Sequence, residues 1–274
     1  MTDRLAGKTA YITGAGSGIG EATALRFGAE GANVVVTDLN GDAAASVADR
    51  IVAAGGAAIS HRVDVTVPDD HAAVVAAALR SYGRIDVLHN NAGIVENSID
   101  TTVVDTPDSA WRTAFEVDLL GVVNGTRVVL PEMVRTGGGS VINTASAAPF
   151  NGNTTMAAYG SVKGAVIALT RYVATSHGRH NIRCNAIAPG LVLSPGALEV
   201  FPVPGLLDAI AKHQTVPGFC APDDVAHLAV FLGSDESRFI SGQTHIIDSG
   251  LMAMGAAVPD IDEVLASLGT PTTH

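Results

Sequence analysis

The sequence predicts a doubly wound parallel sheet of Rossmann type, α/β in class, with seven strands and helices on both faces, in a single domain. Three observations predict it. Strand-like and helix-like segments alternate from one end of the chain to the other. The strand-like segments are continuously apolar, which marks a parallel sheet covered on both faces. The first of them runs into Thr13-Gly14-Ala15-Gly16-Ser17-Gly18-Ile19-Gly20, a glycine run where a strand gives way to a helix.

Taken in order, residues 8–13 read as a buried strand and residues 18–30 as a helix, with Ala22, Leu25, Arg26 and Ala29 at helical spacing. Residues 33–37 form a Val-rich strand, and residues 41–54 a helix ended by Gly55-Gly56. A third strand over 59–63 precedes a helix from about Pro68 to Tyr82-Gly83, and residues 85–89 give a fourth strand. One long helix is expected over 107–134, then strand 140–144, helix 157–176 and strand 182–188. A loop with Pro195, Pro202 and Pro204 leads to helix 223–232 and a last strand, 244–247. Residues 1–250 make one domain, with a variable loop at about 191–217 and an extension over 251–274.

Composition narrows the function classes. A chain of 274 residues can bury one large core, and it contains no linker or repeat of solenoid period. No apolar run approaches the ~20 residues needed to cross a bilayer, and the start lacks a signal-peptide core. A soluble, cytoplasmic protein is expected. Cys184 and Cys220 fit reduced, buried thiols. A net charge of −11 argues against a nucleic-acid partner. Nine histidines invite a metal, but no HExxH occurs and the cysteines lack ligand spacing, so no metal is expected.

In a sheet of this kind ligands bind at the carboxyl ends of the strands, where the order reverses. Gly14, Gly16, Gly18 and Gly20 stand there, in GxxxGxG spacing without a strict GxGxxG. Such glycines let the backbone approach a pyrophosphate held by the following helix N-terminus; a glycine turn without a ligand is the competing reading. Asp38 ends the second strand, where a carboxylate would accept hydrogen bonds from a ribose and repel a 2′-phosphate. Leu39 and Asn40 supply no arginine, so NAD is expected over NADP. Asp38 as a plain helix cap before Gly41 remains the alternative.

Tyr159 and Lys163 stand at i and i+4, on one helix face, and Ser146 lies thirteen residues before the tyrosine. An ammonium at about 4 Å stabilises a phenolate by roughly 4 kcal/mol at an effective dielectric of about 20, which suits a general base for an alcohol. Alone, the pair is also what a surface lysine beside a half-buried tyrosine would give. Its company makes the catalytic reading the stronger one.

With these motifs in register, the chain from about residue 5 to Gly250 resembles the short-chain dehydrogenase/reductase family, in its single-domain branch. Thr13 to Gly20 matches the family's TGxxxGIG; Asp64-Val65, the adenine-holding pair; Asn90-Asn91-Ala92-Gly93, its NNAG. Ser146, Tyr159 and Lys163 match its catalytic residues, and Pro189-Gly190, Val192 and Ser194 resemble the PGxxxT segment at the nicotinamide. The resemblance implies an oxidoreductase moving hydride between NAD and a secondary alcohol or ketone. Gly14, Ser17, Gly18, Ile19, Gly20, Asp38, Leu39, Asp64, Val65, Asn91, Ala92, Gly93, Pro189, Gly190, Val192 and Ser194 would hold the cofactor, together with Tyr159 and Lys163. Tyr159 would take the alcohol proton, Ser146 would steady the developing oxyanion, and Lys163 would bind the ribose and support the tyrosine.

One position departs from the pattern: Asp118, in Val117-Asp118-Leu119-Leu120-Gly121, stands where the family has asparagine. Its carbonyl is kept, while its side chain, if charged, would pair with Lys163. Leu193, Leu198, Phe201 and Val203, with Val95, Ala148 and Met156, would favour an apolar substrate beside Ser146 and Tyr159, or serve only as loop anchors. The resemblance also implies a homo-oligomer, tetramer or dimer, through the long helix and helix 157–176, and the extension would cover a neighbouring subunit or be disordered. The alternatives are an NADPH-dependent 3-oxoacyl reductase and an NAD-sensing protein without turnover.

Overall fold

The computed structural model describes residues 3–96, 98–194, 205–255 and 257–267. Strands β1 (Thr9–Ile12), β2 (Asn33–Asp38), β3 (Ala57–Arg62), β4 (Val87–Asn90), β5 (Gly139–Thr144), β6 (Ile182–Pro189) and β7 (Thr244–Ile247) form one sheet. Their order is β3-β2-β1-β4-β5-β6-β7, and every pairing is parallel. The order reverses between β1 and β4, which opens a crevice at the carboxyl ends of those strands.

The described α-helices are α1 (Gly18–Ala29), α2 (Gly41–Ala53), α3 (Pro68–Tyr82), α4 (Asp108–Ala114), α5 (Gly121–Thr136), α6 (Ala157–His177), α7 (Leu206–Ala211), α8 (Pro222–Gly233) and α9 (Val258–Ser267). β1 explains why its sequence shows no alternation. Ala10 and Ile12 enter one core with Phe27 of α1 and Val230 of α8, whereas Tyr11 points into the other, with Val74 of α3 and Met133 of α5. Both faces of the strand are therefore dry. Phe27, Ile12 and Leu88 are fully buried, and each such side chain contributes about 1.5–3 kcal/mol of transfer free energy.

The expected long helix over 107–134 is present and helical throughout, but it is not uniformly α. A π-helical turn, Phe115–Leu120, separates α4 from α5. Wider turns of this kind re-aim side chains and gather at functional sites, and here the turn carries buried Asp118. Gly137, at φ 93°, then stops α5 in the left-handed conformation that favours glycine.

Three short elements had no signal in the sequence: a 3₁₀ turn at Ala148–Phe150, α7 and α9. Part of the extension is thus helical and tied to its own chain. Thr215 and Val216 N–H groups both donate to the Ser249 carbonyl, and Lys212 of α7 lies 3.3 Å from Glu263 of α9. Leu198, Phe201 and Val203 lie outside the described residues. Among those described, no helix is long and apolar enough to cross a membrane.

Candidate active site

At the crevice the backbone of the glycine run approaches its neighbours too closely for a side chain. A Cβ on Gly14, at φ 61°, would stand 2.7 Å from the Ala92 Cα, and one on Gly20 would stand 2.0 Å from the Gly14 carbonyl oxygen. Asn91 locks this approach by donating from Nδ2 to the Thr13 and Gly14 carbonyls, 3.1 Å each. The Thr13 hydroxyl accepts from the Asn91 and Ala92 N–H groups at 3.0 and 3.1 Å. Neutral hydrogen bonds alone hold the loop against β4.

Asp38 reaches across from β2. Its Oδ2 accepts from Gly16 N–H at 2.9 Å and its Oδ1 from Asn40 N–H at 2.9 Å. The cap of α2 is Asn40, whose Oδ1 accepts from Ala43 N–H, so the capping role is filled without Asp38. Nearby, two hydrogen bonds from Thr66 hold the Asp64 carboxyl below its ordinary range.

The other end of the crevice is built on buried charge. Lys163, one turn along α6 from Tyr159, lies 3.0 Å from Asp118 Oδ1, donates to the Thr144 carbonyl at 3.1 Å, and has its Nζ 5.6 Å from the tyrosine ring centre. The lysine side chain is 3% exposed and the aspartate 0%. Ile94 N–H also donates to Asp118 Oδ1, at 3.2 Å, while Oδ2 is buried without a partner among the described residues. Burial pushes the Asp118 carboxyl above its ordinary value, against the attraction of Lys163. Burial also disfavours the charged lysine, but Asp118 and Tyr159 together outweigh it and hold Lys163 above its ordinary value. Two N–H donors on one oxygen fit an ionised carboxylate, so we read the pair as charged. Gly93 has no room for a side chain here: a Cβ would lie 2.5 Å from Asp118 Oδ1.

Most of the residues expected at the site share one cleft of about 510 Å³, open between Asp38 and Lys163. Gly14, Ser17, Gly18, Ile19, Asp38, Leu39, Asp64, Val65, Asn91, Ala92, Gly93, Val95, Tyr159, Lys163 and Ser194 line it. Gly20 supports the loop from within α1, and Asp118 lies buried behind the wall. Ser146, Ala148, Met156, Pro189, Gly190, Val192 and Leu193 do not line it. Ser146 Oγ accepts from Ala148 N–H at 3.1 Å. Val192 is buried in the core, and Leu193 N–H donates to the Cys220 carbonyl. Met156 is the N-cap residue of α6, at φ 63°, next to the turn that carries Tyr159. Thr37, Val63, Ile94, Val117, Thr144 and Ala145 also line the cleft. They carry no motif of their own: most are ordinary strand or loop residues, and Val117 belongs to the π-helical turn. The mouth of β2 and β5 would have indicated Thr37 and Thr144.

The cleft fits a nicotinamide dinucleotide. It joins a glycine cradle whose missing side chains make the close approach, a carboxylate at the end of β2, and a tyrosine–lysine pair. Comparison with known proteins agrees. A family model described as Enoyl-(Acyl carrier protein) reductase matches residues 14–252. The 7alpha-hydroxysteroid dehydrogenase of Escherichia coli K12 is 37% identical over 247 residues, 90% of this chain and 95% of that one. The 3-oxoacyl-[acyl-carrier-protein] reductase FabG of Thermotoga maritima is 37% identical over 249 residues, 91% of this chain and 99% of that one. A solved 7 alpha-hydroxysteroid dehydrogenase, complexed with NADH and 7-oxo glycochenodeoxycholic acid, superposes with a TM-score of 0.86 at 36% identity, covering 91% of this chain and 96% of its own. The chain belongs to the short-chain dehydrogenase/reductase family, and is an oxidoreductase working between a nicotinamide dinucleotide and a secondary alcohol or its ketone.

Proposed function

We propose that the chain uses NAD to oxidise an apolar secondary alcohol, or to reduce the corresponding ketone, with Tyr159 as the proton acceptor. The observation that carries this reading is the buried Lys163, 5.6 Å from the Tyr159 ring in the same cleft as Asp38 and the glycine loop. The nicotinamide supplies the hydride acceptor or donor. The protein's part is position and charge. Gly14 to Gly20 and Asn91 would receive the pyrophosphate side, Asp38 the adenosine ribose, Asp64 and Val65 the adenine, and Lys163 the nicotinamide ribose. Pro189, Gly190 and Ser194 would meet the carboxamide. Tyr159, as the phenolate that Lys163 favours, takes the alcohol proton and becomes the phenol, with Ser146 donating to the substrate oxygen.

Asp38 supports NAD over NADP, because a carboxylate held by two backbone N–H groups cannot swing away from a 2′-phosphate without losing both. An apolar substrate is supported by Val95 in the cleft, by Met156 and Ala148 beside the turn that carries Tyr159, and by the steroid-type ligand bound in the similar solved enzyme. A second copy of the chain is the fitting partner for the α4–α6 face, where Trp111, Leu119, Val162 and Ala165 edge an apolar groove and Phe115 is half exposed. A dimer or tetramer in the cytoplasm is the state this reading expects.

Two assays test it. Screening secondary alcohols with NAD should yield NADH, most readily with bulky apolar alcohols. Titration should show NADH binding more tightly than NADPH, and Asp38→Ala should narrow the preference about tenfold, or about 1.4 kcal/mol. Equal or tighter NADPH binding by the parent would overturn the role of Asp38 and favour the 3-oxoacyl reductase alternative.

A further inference from the structure

The helix that carries Tyr159 has no cap of its own. Its N-cap residue is Met156, whose side chain makes no capping hydrogen bond and whose backbone is left-handed. The first N–H groups of a helix lack partners within it, and leaving them buried and unpaired is costly. Here a distant dipeptide supplies every partner. The Asp100 carboxylate accepts from Ala158 N–H through Oδ1 at 3.0 Å and from Tyr159 N–H through Oδ2 at 2.8 Å. The Asp100 carbonyl accepts from Met156 N–H at 2.9 Å, and the Thr101 carbonyl from Ala157 N–H at 3.3 Å. The helix's own ladder starts only with Gly160 N–H, which donates to the Met156 carbonyl.

Asp100 is 3% exposed and is itself held in place. Its N–H donates to the Glu96 carbonyl, and the Thr106 hydroxyl lies 3.4 Å from its Oδ1 while accepting from Thr101 N–H. The same connection between β4 and α4 includes Ile94 and Val95, which line the cleft. Ile94 N–H also holds the Asp118 carboxylate that pairs with Lys163. One short segment therefore binds the lysine's partner at one end and the tyrosine's backbone at the other.

We propose that Asp100 is a positioning residue for Tyr159: its carboxylate sets the N-terminal register of α6 and so aligns the phenol with the cofactor side of the cleft. A carboxylate suits the place twice, since it has two oxygens for two convergent N–H groups and its charge complements the helix N-terminus. Asparagine offers one carbonyl oxygen and turns an amide donor toward the second N–H. Alanine offers nothing. The catalytic consequence rests on the reading of Tyr159 as proton acceptor; the positioning does not.

The test uses the full chain labelled with ¹³C-tyrosine. Four tyrosines are present, and the Tyr159 signal is the one lost in Tyr159→Phe. In Asp100→Ala the Tyr159 signal should shift or broaden while those of Tyr11, Tyr82 and Tyr172 stay in place. Turnover should fall at least about tenfold, because small misplacements of a reacting group have large kinetic effects. NADH affinity should change less than about threefold, and Asp100→Asn should lie between the two proteins. An unmoved Tyr159 signal, or all four signals moving together, would overturn the proposal. Should the parent oxidise no alcohol at all, the functional reading fails while the tyrosine signal still decides the role of Asp100.

Discussion

The two ends of the cleft are held by different physics. At the glycine loop, Gly14 and Gly20 allow contacts that no side chain would permit, and Thr13 and Asn91 fasten them with neutral hydrogen bonds. At the Tyr159 end, the fixed points are ionisable groups taken out of water: Asp118 with Lys163, and Asp100 beneath the first turn of α6. Close packing and neutral hydrogen bonds make most of the cradle, with the Asp38 carboxylate also accepting from Gly16 N–H. Buried charge makes an end whose function follows protonation, and which fails when one partner is removed.

Removing the lysine sharpens that contrast most. Lys163→Ala leaves Asp118 buried without its cation, in a place where burial already pushes its carboxyl toward the neutral form. Turnover should fall by about 10²–10⁴, the usual reach of a positioned acid–base system, and NADH binding should weaken as well. Stopped-flow turnover and fluorescence titration measure the two separately. A variant that binds NADH as the parent does would break the assignment of Lys163 to the cofactor.

Asp118→Asn gives a smaller and more particular effect. An ionised Asp118 draws the lysine's charge toward itself and away from the phenol. The amide removes that pull, so the rising limb of kcat/KM with pH should move to lower pH, by up to about one unit. An unmoved limb would show that the side chain is electrostatically silent and acts only through its shape.

The last effect is on stability rather than turnover, and it lies beneath the cradle. His89 on β4 is fully buried, with Nε2 2.9 Å from the Thr144 hydroxyl and Nδ1 without a partner among the described residues. Burial pushes its pKa down to about 3. A group held below its unfolded value contributes stability above that value, near 6.5, and loses it as pH falls toward about 3. The loss is about 1.4 kcal/mol per pH unit for this group within that window. Urea midpoints between pH 7 and pH 4 should fall less steeply in His89→Gln. Equal slopes would remove His89 from the account.

The same contrast explains what was legible in the sequence. Glycine spacing, apolar strands and Tyr159 with Lys163 are local patterns, and they gave the parallel sheet, the crevice and most of its lining. Asp38 was legible as the end of β2, although only the structure shows Asn40 taking the capping role. Asp118 was noticed because it replaced an asparagine, but the π-helical turn that aims it has no local signature. Asp100 was invisible, since its meaning lies in N–H groups 58 and 59 residues away. α7 is apolar but, at six residues, too short to show a helical period, and α9 lies past the last motif, in the extension.

The central claim is that Tyr159 is the proton acceptor in an otherwise complete dinucleotide site, and Tyr159→Phe tests it most directly. The change removes one oxygen and leaves the ring, Lys163 and the glycine cradle. NADH affinity of the purified variant should stay within about threefold of the parent. Oxidation of an alcohol that the parent accepts should fall by at least about a hundredfold at every pH. A variant that keeps more than a few per cent of the parent's turnover would contradict the account.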